Sequence, residues 1–319
     1  MSRLVALLLA VIALALPLSL LAGRVWIDPF HPGLAAAPAI LFELRLPRGV
    51  LALVLGAGLG GAGAAMQGYL RNPLADPGLF GIAPGAALGA VLALLTGASA
   101  AYALPLAALT GAGLAMALLA LIAGRTAGVV LFTLAGMIIA SLAGALTSLA
   151  ISMAPNPFAL SEIVTWLMGA LTDRGWPDVW IAAPPTLVGL LVLAWAGRDL
   201  DALTLGEDAA RSLGVEPRRL QWLMIVGVGL TVGAGVAVAG IIGFVGLMVP
   251  HLVRRFTDRR PSQLIVPSAL AGALLVLVAD MLCRIAPLSG GELRLGIALS
   301  LLGAPFFLAL LLRMRRGLA

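Results

Sequence analysis

The sequence predicts an all-α polytopic membrane protein with about ten transmembrane helices, and three observations carry that prediction. Of 319 residues, 61% are hydrophobic and only 11% are charged, against roughly a quarter charged in soluble domains. Apolar runs of about 17–25 residues recur from end to end, each long enough to cross a ~30 Å hydrocarbon layer as a helix. Alternating segments of about ten residues, the mark of a membrane barrel, are absent.

The spans fall at about 4–22, 46–69, 81–96, 104–123, 129–153, 179–196, 221–242, 249–256, 263–285 and 293–312. The eighth is too short to cross alone and draws on the irregular segment before it. The first also has the form of a secretory signal, with Arg3, an apolar run and Leu21-Ala22-Gly23 as a cleavage site. Its removal would leave nine passages and place Arg313, Arg315 and Arg316 outside, against the positive-inside rule. With ten passages and both termini inside, 14 arginines fall in the cytoplasm. They are Arg3, Arg71, Arg125, Arg198, Arg211, Arg218, Arg219, Arg254, Arg255, Arg259, Arg260 and the C-terminal three. Arg24, Arg45, Arg48, Arg174, Arg284 and Arg294 fall outside.

Composition excludes several chemistries. Lysine is absent, so all 20 basic residues are arginine. A phosphate-binding loop of the G-x-x-x-x-G-K-[ST] kind needs its lysine, so any P-loop ATPase acting with this chain sits on another polypeptide. The single Cys283 excludes an internal disulfide and a multi-cysteine metal site, and His31 and His251 have no metal-ligand spacing. No catalytic residue, metal or cofactor is expected. The pI near 11.1 reads as arginines flanking apolar helices, a topology signal, rather than as a nucleic-acid surface.

Two stretches read alike. Residues 45–63 run Arg-Leu-Pro-Arg into a glycine-rich helix ending Gly61-Ala62-Gly63, and residues 218–235 run Arg-Arg-Leu-Gln into one ending Gly233-Ala234-Gly235. Each leads to a broken segment, Asn72-Pro73-Leu74-Ala75-Asp76-Pro77 in the first and Val249-Pro250-His251 in the second. Five passages separate the two starts, and an odd number means opposite orientation. Inverted repeats with broken helices are a transporter pattern, because irregular backbone at membrane depth must line a cavity or be buried in protein. The chain thus reads as one transmembrane domain over 1–319, with repeats over about 45–153 and 218–312. The spacings Gly56/Gly60 and Gly229/Gly233 suit close helix packing.

Residues 198–221 form the longest polar stretch. Thr204-Leu205-Gly206-Glu207 has capping-box form, Glu207 and Asp208 suit a helix N-terminus, and Glu207 and Arg211 form an i,i+4 pair. Gly214 offers a left-handed C-terminal position and Pro217 stops continuation. A helix of about nine residues is expected, with Leu205, Ala209, Ala210 and Leu213 offering an apolar side. It reads either as a capped linker or as a rigid knob that docks into a groove on a partner.

Leu205-Gly206-Glu207-Asp208-Ala209-Ala210-Arg211-Ser212-Leu213-Gly214 resembles the coupling segment of the FecCD-type permeases, which import iron-siderophores, haem and cobalamin. Arg45-Leu46-Pro47-Arg48, Asn72-Pro73-Leu74-Ala75-Asp76-Pro77-Gly78, Gly243-Phe244-Val245-Gly246, Val249-Pro250-His251 and Leu302-Gly303-Ala304-Pro305-Phe306-Phe307 resemble that family too. The likeness runs from about residue 20 to the C-terminus. It implies the type II ABC importer permease fold in a bacterial inner membrane: ten helices per subunit, paired as a homodimer or close heterodimer. It also implies two ATPase subunits below and a periplasmic binding protein above.

The resemblance also implies site residues. Arg45, Arg48 and Arg284 match arginines that meet acidic groups on the binding protein; Asp280, four residues before Arg284, reads as its holder or simply as an i,i+4 partner. The helix at 129–153 matches the pathway-lining helix, with Ser141, Thr147, Ser148 and Ser152 as its polar groups, and Val129 and Val130 stand where small hydroxyl residues are common at its inner end. Asn72 and Leu74 match a second constriction. Glu292-Leu293-Arg294-Leu295-Gly296 carries Arg294 in place of a proline. An intramembrane enzyme built on His251 or on Glu207 and Asp208 lacks a nucleophile–base constellation. A secondary transporter would need mid-membrane ionisable residues, for which Asp280 is the candidate. The expected cargo is an iron-siderophore or haem, with cobalamin as the alternative.

Overall fold

A computed structural model describes residues 2–23, 37–97, 102–123, 128–286 and 291–316; Arg24, His31 and Arg125 lie outside them. Among the described residues, thirteen helices are found: α1 (Ser2–Leu21), α2 (Leu46–Tyr69), α3 (Ile82–Leu95), α4 (Ala103–Ala123), α5 (Val129–Ser152), α6 (Pro157–Leu167) and α7 (Trp176–Trp195), then α8 (Gly197–Leu203), α9 (Glu207–Ser212), α10 (Pro217–Ala239), α11 (Val245–Val253), α12 (Pro261–Ile285) and α13 (Leu295–Arg316). A short helical turn and a π-helical turn, Ile40–Arg45, lead into α2. No strand occurs among the described residues.

Among the described residues, eight helices are long and apolar enough to cross a membrane. The remaining two expected passages are short: α3 has 14 residues and α11 has 9. Two helices form the hub. The apolar windows of α2 and α10 are each 78% buried inside the protein, against 6% for α1. Glycine makes this possible. A Cβ on Gly56 of α2 would collide with the Gly272 carbonyl of α12, and one on Gly63 would collide with the Gly246 carbonyl of α11. On α10, Gly233 faces Ala112 of α4 and Gly229 faces Met116, so α2 against α12 is matched by α10 against α4.

Both hub helices lead into irregular backbone. After α2, Arg71 is left-handed (φ 49°), and the Asn72 side-chain oxygen accepts the Leu74 N–H at 2.9 Å. Asp76 then accepts the Gly78 N–H at 2.7 Å and caps a 3-10 turn over Pro77–Phe80. After α10, Gly240 and Phe244 are both left-handed, at φ 71° and 67°, and Phe244 opens α11. The two breaks meet: a Cβ on Gly246 would press on the Pro77 ring.

Two helices were not anticipated. α6 starts at Pro157, where Asn156 accepts the Ala159 N–H at 2.9 Å; eleven residues cannot cross, so a count of long apolar runs passes over it. α8 follows α7 after a single residue, Ala196, and Asp201 on it accepts from the Ser262 amide at 2.9 Å and from the Ser262 hydroxyl. That long-range cap anchors α8 to the start of α12.

Candidate functional site

The broken segments enclose a cavity of about 400 Å³ lined by Leu55, Leu59, Leu74, Asp76, Pro77, Val232, Val236, Ile241, Phe244 and Phe307 among others. Nearly all of this lining is apolar. One Asp76 oxygen is engaged by Gly78, and Asn72 is exposed with its oxygen held in the turn. Leu74 thus lines the cavity, while Asn72 shapes the loop that presents it.

α5 carries an uncharged outward face. Val130 is 72% exposed, and Met137, Ile138, Ser141, Leu142, Gly144 and Ser148 are also exposed. The hydroxyls of Thr147 and Ser148 donate to the carbonyls of Ala143 and Gly144 at 2.8 and 3.0 Å, so their donors are spent within the helix. The two valines at the start of α5 part company. Val129 packs inward beside Tyr69, Leu203 and Ala210 around a cavity of about 20 Å³, at the foot of α9, while Val130 points outward.

The α9 segment differs from expectation in three ways. The helix is six residues, Glu207–Ser212, not about nine. The capping box is absent: Gly206 occupies the N-cap at φ 106°, and the Thr204 hydroxyl donates to the Asp201 carbonyl at 2.7 Å. Thr204 is consumed by the end of α8, so it cannot cap α9. Glu207 turns towards Arg71, 3.9 Å from its Nη2, and not towards Arg211. The C-terminal reading holds. Gly214 is left-handed at φ 88°, its N–H donates to Arg211 and that of Val215 to Ala210, the bonding of a Schellman motif. The apolar residues divide: Ala210 is buried, Ala209 half-buried, and Leu205 and Leu213 stand outward at 67% and 64% exposure. Asp208, Arg211 and Ser212 are exposed beside them.

At the opposite end, the arginines form a compact cluster. Arg48 donates to Asp280 through Nε and Nη2 at 2.8–3.1 Å and pairs with Glu292 through Nη1 at 2.8 Å. Arg284 lies 3.2 Å from Asp280 and donates to the Ser19 and Ala22 carbonyls at the end of α1. Arg45 donates to the Leu20 and Leu21 carbonyls at 2.8 and 3.0 Å. Asp280 therefore does hold Arg284, as its spacing predicts. It also holds Arg48, from 232 residues away, which spacing cannot predict. Arg284 is only 4% exposed and Arg45 is half-buried, so the three are not equally presented.

The pairing of Glu292 with Arg48 escaped notice, because the segment around Glu292 gave no periodic signal. A second polar node also did: Gln67 of α2 accepts from Arg254 at 3.0 Å and donates to the Leu247 carbonyl at 3.2 Å. A glutamine inside a glycine-rich apolar helix was the available signal. His251 meets Phe306 of α13 edge-on, with ring centroids 5.9 Å apart.

Asp280→Ala should destabilise the protein by about 3–5 kcal/mol, because it leaves Arg284 buried without its carboxylate and Arg48 with Glu292 alone. Thermal unfolding in detergent measures this; a loss below about 1 kcal/mol would show that water compensates the cluster.

The FecCD transport family model matches residues 5–313. The chain is 39% identical over 287 residues to the ABC transporter permease protein YvrB of Bacillus subtilis, covering 87% of this chain and 80% of YvrB. It is 38% identical over 318 residues to the vitamin B12 import system permease protein BtuC of Vibrio cholerae, covering 93% and 89%. Among solved structures, a transporter assigned to the metal-chelate ABC type, in an inward-facing conformation, superposes with a TM-score of 0.88 at 32% identity. That match covers 98% of this chain and 100% of the other. PsaBC from Streptococcus pneumoniae shares the fold at 19% identity, with a TM-score of 0.58 over 85% of this chain and 92% of that one. Matched over nearly its full length, this chain belongs to the FecCD transport family and is the permease subunit of an ABC importer.

Proposed function

We propose that two copies of this chain enclose an import path for a bulky metal chelate, an iron-siderophore or haem. A periplasmic binding protein would deliver it at the Arg45 end, and two ATPase subunits would drive release at the α9 end. The observation that carries this reading is the outward face of α5. It is uncharged, and two of its hydroxyls are already bonded to their own helix. Such a wall suits a conduit that lets go of its cargo, and one copy leaves that side open. The apolar cavity of about 400 Å³ between the broken segments suits a ligand with a large organic shell. On this reading Val130, Ser141, Thr147 and Ser148 line the path, and Leu74 narrows it with Asn72 shaping its loop. Both termini are cytoplasmic, in keeping with the arginine distribution.

Cobalamin is the second reading, favoured by the 38% identity to the vitamin B12 permease BtuC. Proteoliposomes holding the permease, its ATPase and its binding protein should take up a ferric siderophore or haem with ATP. Uptake of cobalamin alone would select the second reading, and no ATP-dependent uptake of any of the three would overturn both.

Coupling to the ATPase is placed on Leu205 and Leu213, with Gly206 and Gly214 fixing the knob between them. A Cβ on Gly206 meets nothing within 4 Å, but its φ of 106° is one that side chains rarely adopt. Leu213→Asp alters only an exposed surface, so its melting temperature should stay near that of the wild type. Permease-stimulated ATP hydrolysis and transport should fall about tenfold, as for a buried interface anchor. Normal hydrolysis and transport in Leu213→Asp and Gly206→Val would reduce α9 to a linker.

Docking of the binding protein is placed on Arg45, with Arg48 and Arg284 bound to Asp280 and shaping the platform beneath it. Arg45→Glu should slow association at low salt and flatten its salt dependence, since a rim charge acts chiefly on the on-rate. Surface plasmon resonance at two salt concentrations, on a complex still assembled with its ATPase, reads this out. An unchanged on-rate removes Arg45 from the docking surface.

A further inference from the structure

At the α9 end, three arginines from two connections line one cavity of about 220 Å³: Arg71 after α2, and Arg254 and Arg259 at the two ends of the link from α11 to α12. Gln67, Thr204 and Pro261 complete much of its wall. No carboxylate among the described residues lies within ion-pair distance of Arg254 or Arg259; Glu207 reaches Arg71 at 3.9 Å between half-exposed side chains. Arg254 uses Nη2 on Gln67 at 3.0 Å, yet its Nε is buried without a hydrogen-bond partner. A buried guanidinium N–H left empty is costly. Arg259 stands near enough to act on Arg254 as a like charge. Arg71 and Arg259 both hold left-handed backbone, at φ 49° and 63°, a conformation that non-glycine residues keep where their surroundings impose it.

Like charges gathered around a hollow with an open donor ask for a counter-charge. Guanidinium groups match phosphate oxygens best, through paired N–H donors. Arg71 directly follows one apolar span and Arg259 directly precedes another, which sets the cavity at the depth where a bilayer ends and phosphate groups begin. We propose that Arg71, Arg254 and Arg259 form a binding site for a phosphate-class anion, supplied by an anionic lipid headgroup or by a free phosphate. An anion there would bridge the ends of α2, α11 and α12, next to the α8–α9 unit. This site is separate from the chelate path, so its test does not depend on the cargo.

Lipid-stripped full-length permease in detergent is titrated with inorganic phosphate at constant ionic strength balanced by chloride. In separate arms it receives micelles carrying phosphatidylglycerol or phosphatidylcholine, and the melting temperature is followed. Phosphate, phosphatidylglycerol or both should raise it saturably, while chloride and phosphatidylcholine should not. Arg259→Asn removes an exposed charge and keeps a residue tolerant of left-handed backbone; it should raise the midpoint concentration about tenfold, and Arg259→Lys should recover most of the loss. A response to phosphate assigns a free anion, and a response to phosphatidylglycerol alone assigns a headgroup. No saturable shift with either, or equal midpoints for wild type and Arg259→Asn, overturns the site.

Discussion

The backbone of α2 touches the backbones of α12 and α11, and the rest of the molecule is arranged around that contact. In lipid, apolar side chains gain nothing by turning from hydrocarbon to protein, so helices associate through close packing and hydrogen bonds. Gly56 against Gly272 and Gly63 against Gly246 bring the helices to where carbonyl oxygens face glycine α-carbons. Any side chain would separate them. Because α2 sits this deep, its window is 78% buried, and Gln67 near its end can reach both Arg254 and the carbonyls of α11.

That contact also fixes where irregular backbone is tolerated. Unpaired peptide groups at membrane depth must be enclosed by protein or face water. The 72–81 and 240–244 segments meet that condition together, since Pro77 lies against Gly246 and Asn72 and Asp76 bond the local amides. The cavity between them follows from two helices that stop short and turn. It was not carved into a continuous bundle.

The two ends handle charge differently. At the Arg45 end, Asp280 and Glu292 neutralise Arg48 and Arg284, and the last carbonyls of α1 accept from Arg284 Nη1 and from Arg45. That joins α1, α2, α12 and the start of α13 into one rigid platform, since breaking a buried pair costs far more than an exposed one. At the α9 end the arginines are mostly exposed and the ordered feature is apolar: Leu205 and Leu213 project from a helix closed by left-handed glycines on both sides. A six-residue helix has little stability of its own. It persists because α8 is pinned to α12 through Asp201 and Ser262 and Ala210 is packed beneath it.

The sequence by itself determined the all-helical class, the eight long apolar helices, the paired breaks after α2 and α10, the left-handed stop at Gly214 and the Asp280–Arg284 pair. Each follows from local physics: hydrophobic length, glycine and proline chemistry, or residues one helical turn apart. What it misjudged was also local but contested. Thr204 could cap α9 or close α8, and only the arrangement of α8 against α12 settled that it closes α8. Glu207 could face Arg211 or a residue from elsewhere, and the fold brought Arg71. The bond from Arg48 to Asp280, the division of Leu205 and Leu213 from Ala210, the parting of Val129 from Val130 and the convergence of Arg71, Arg254 and Arg259 were decided by tertiary structure alone. Periodicity reports which face of a helix is apolar. It carries no record of which distant segment will lie against that face, and it is that neighbour which makes a side chain a core residue, a wall of a path or a docking surface.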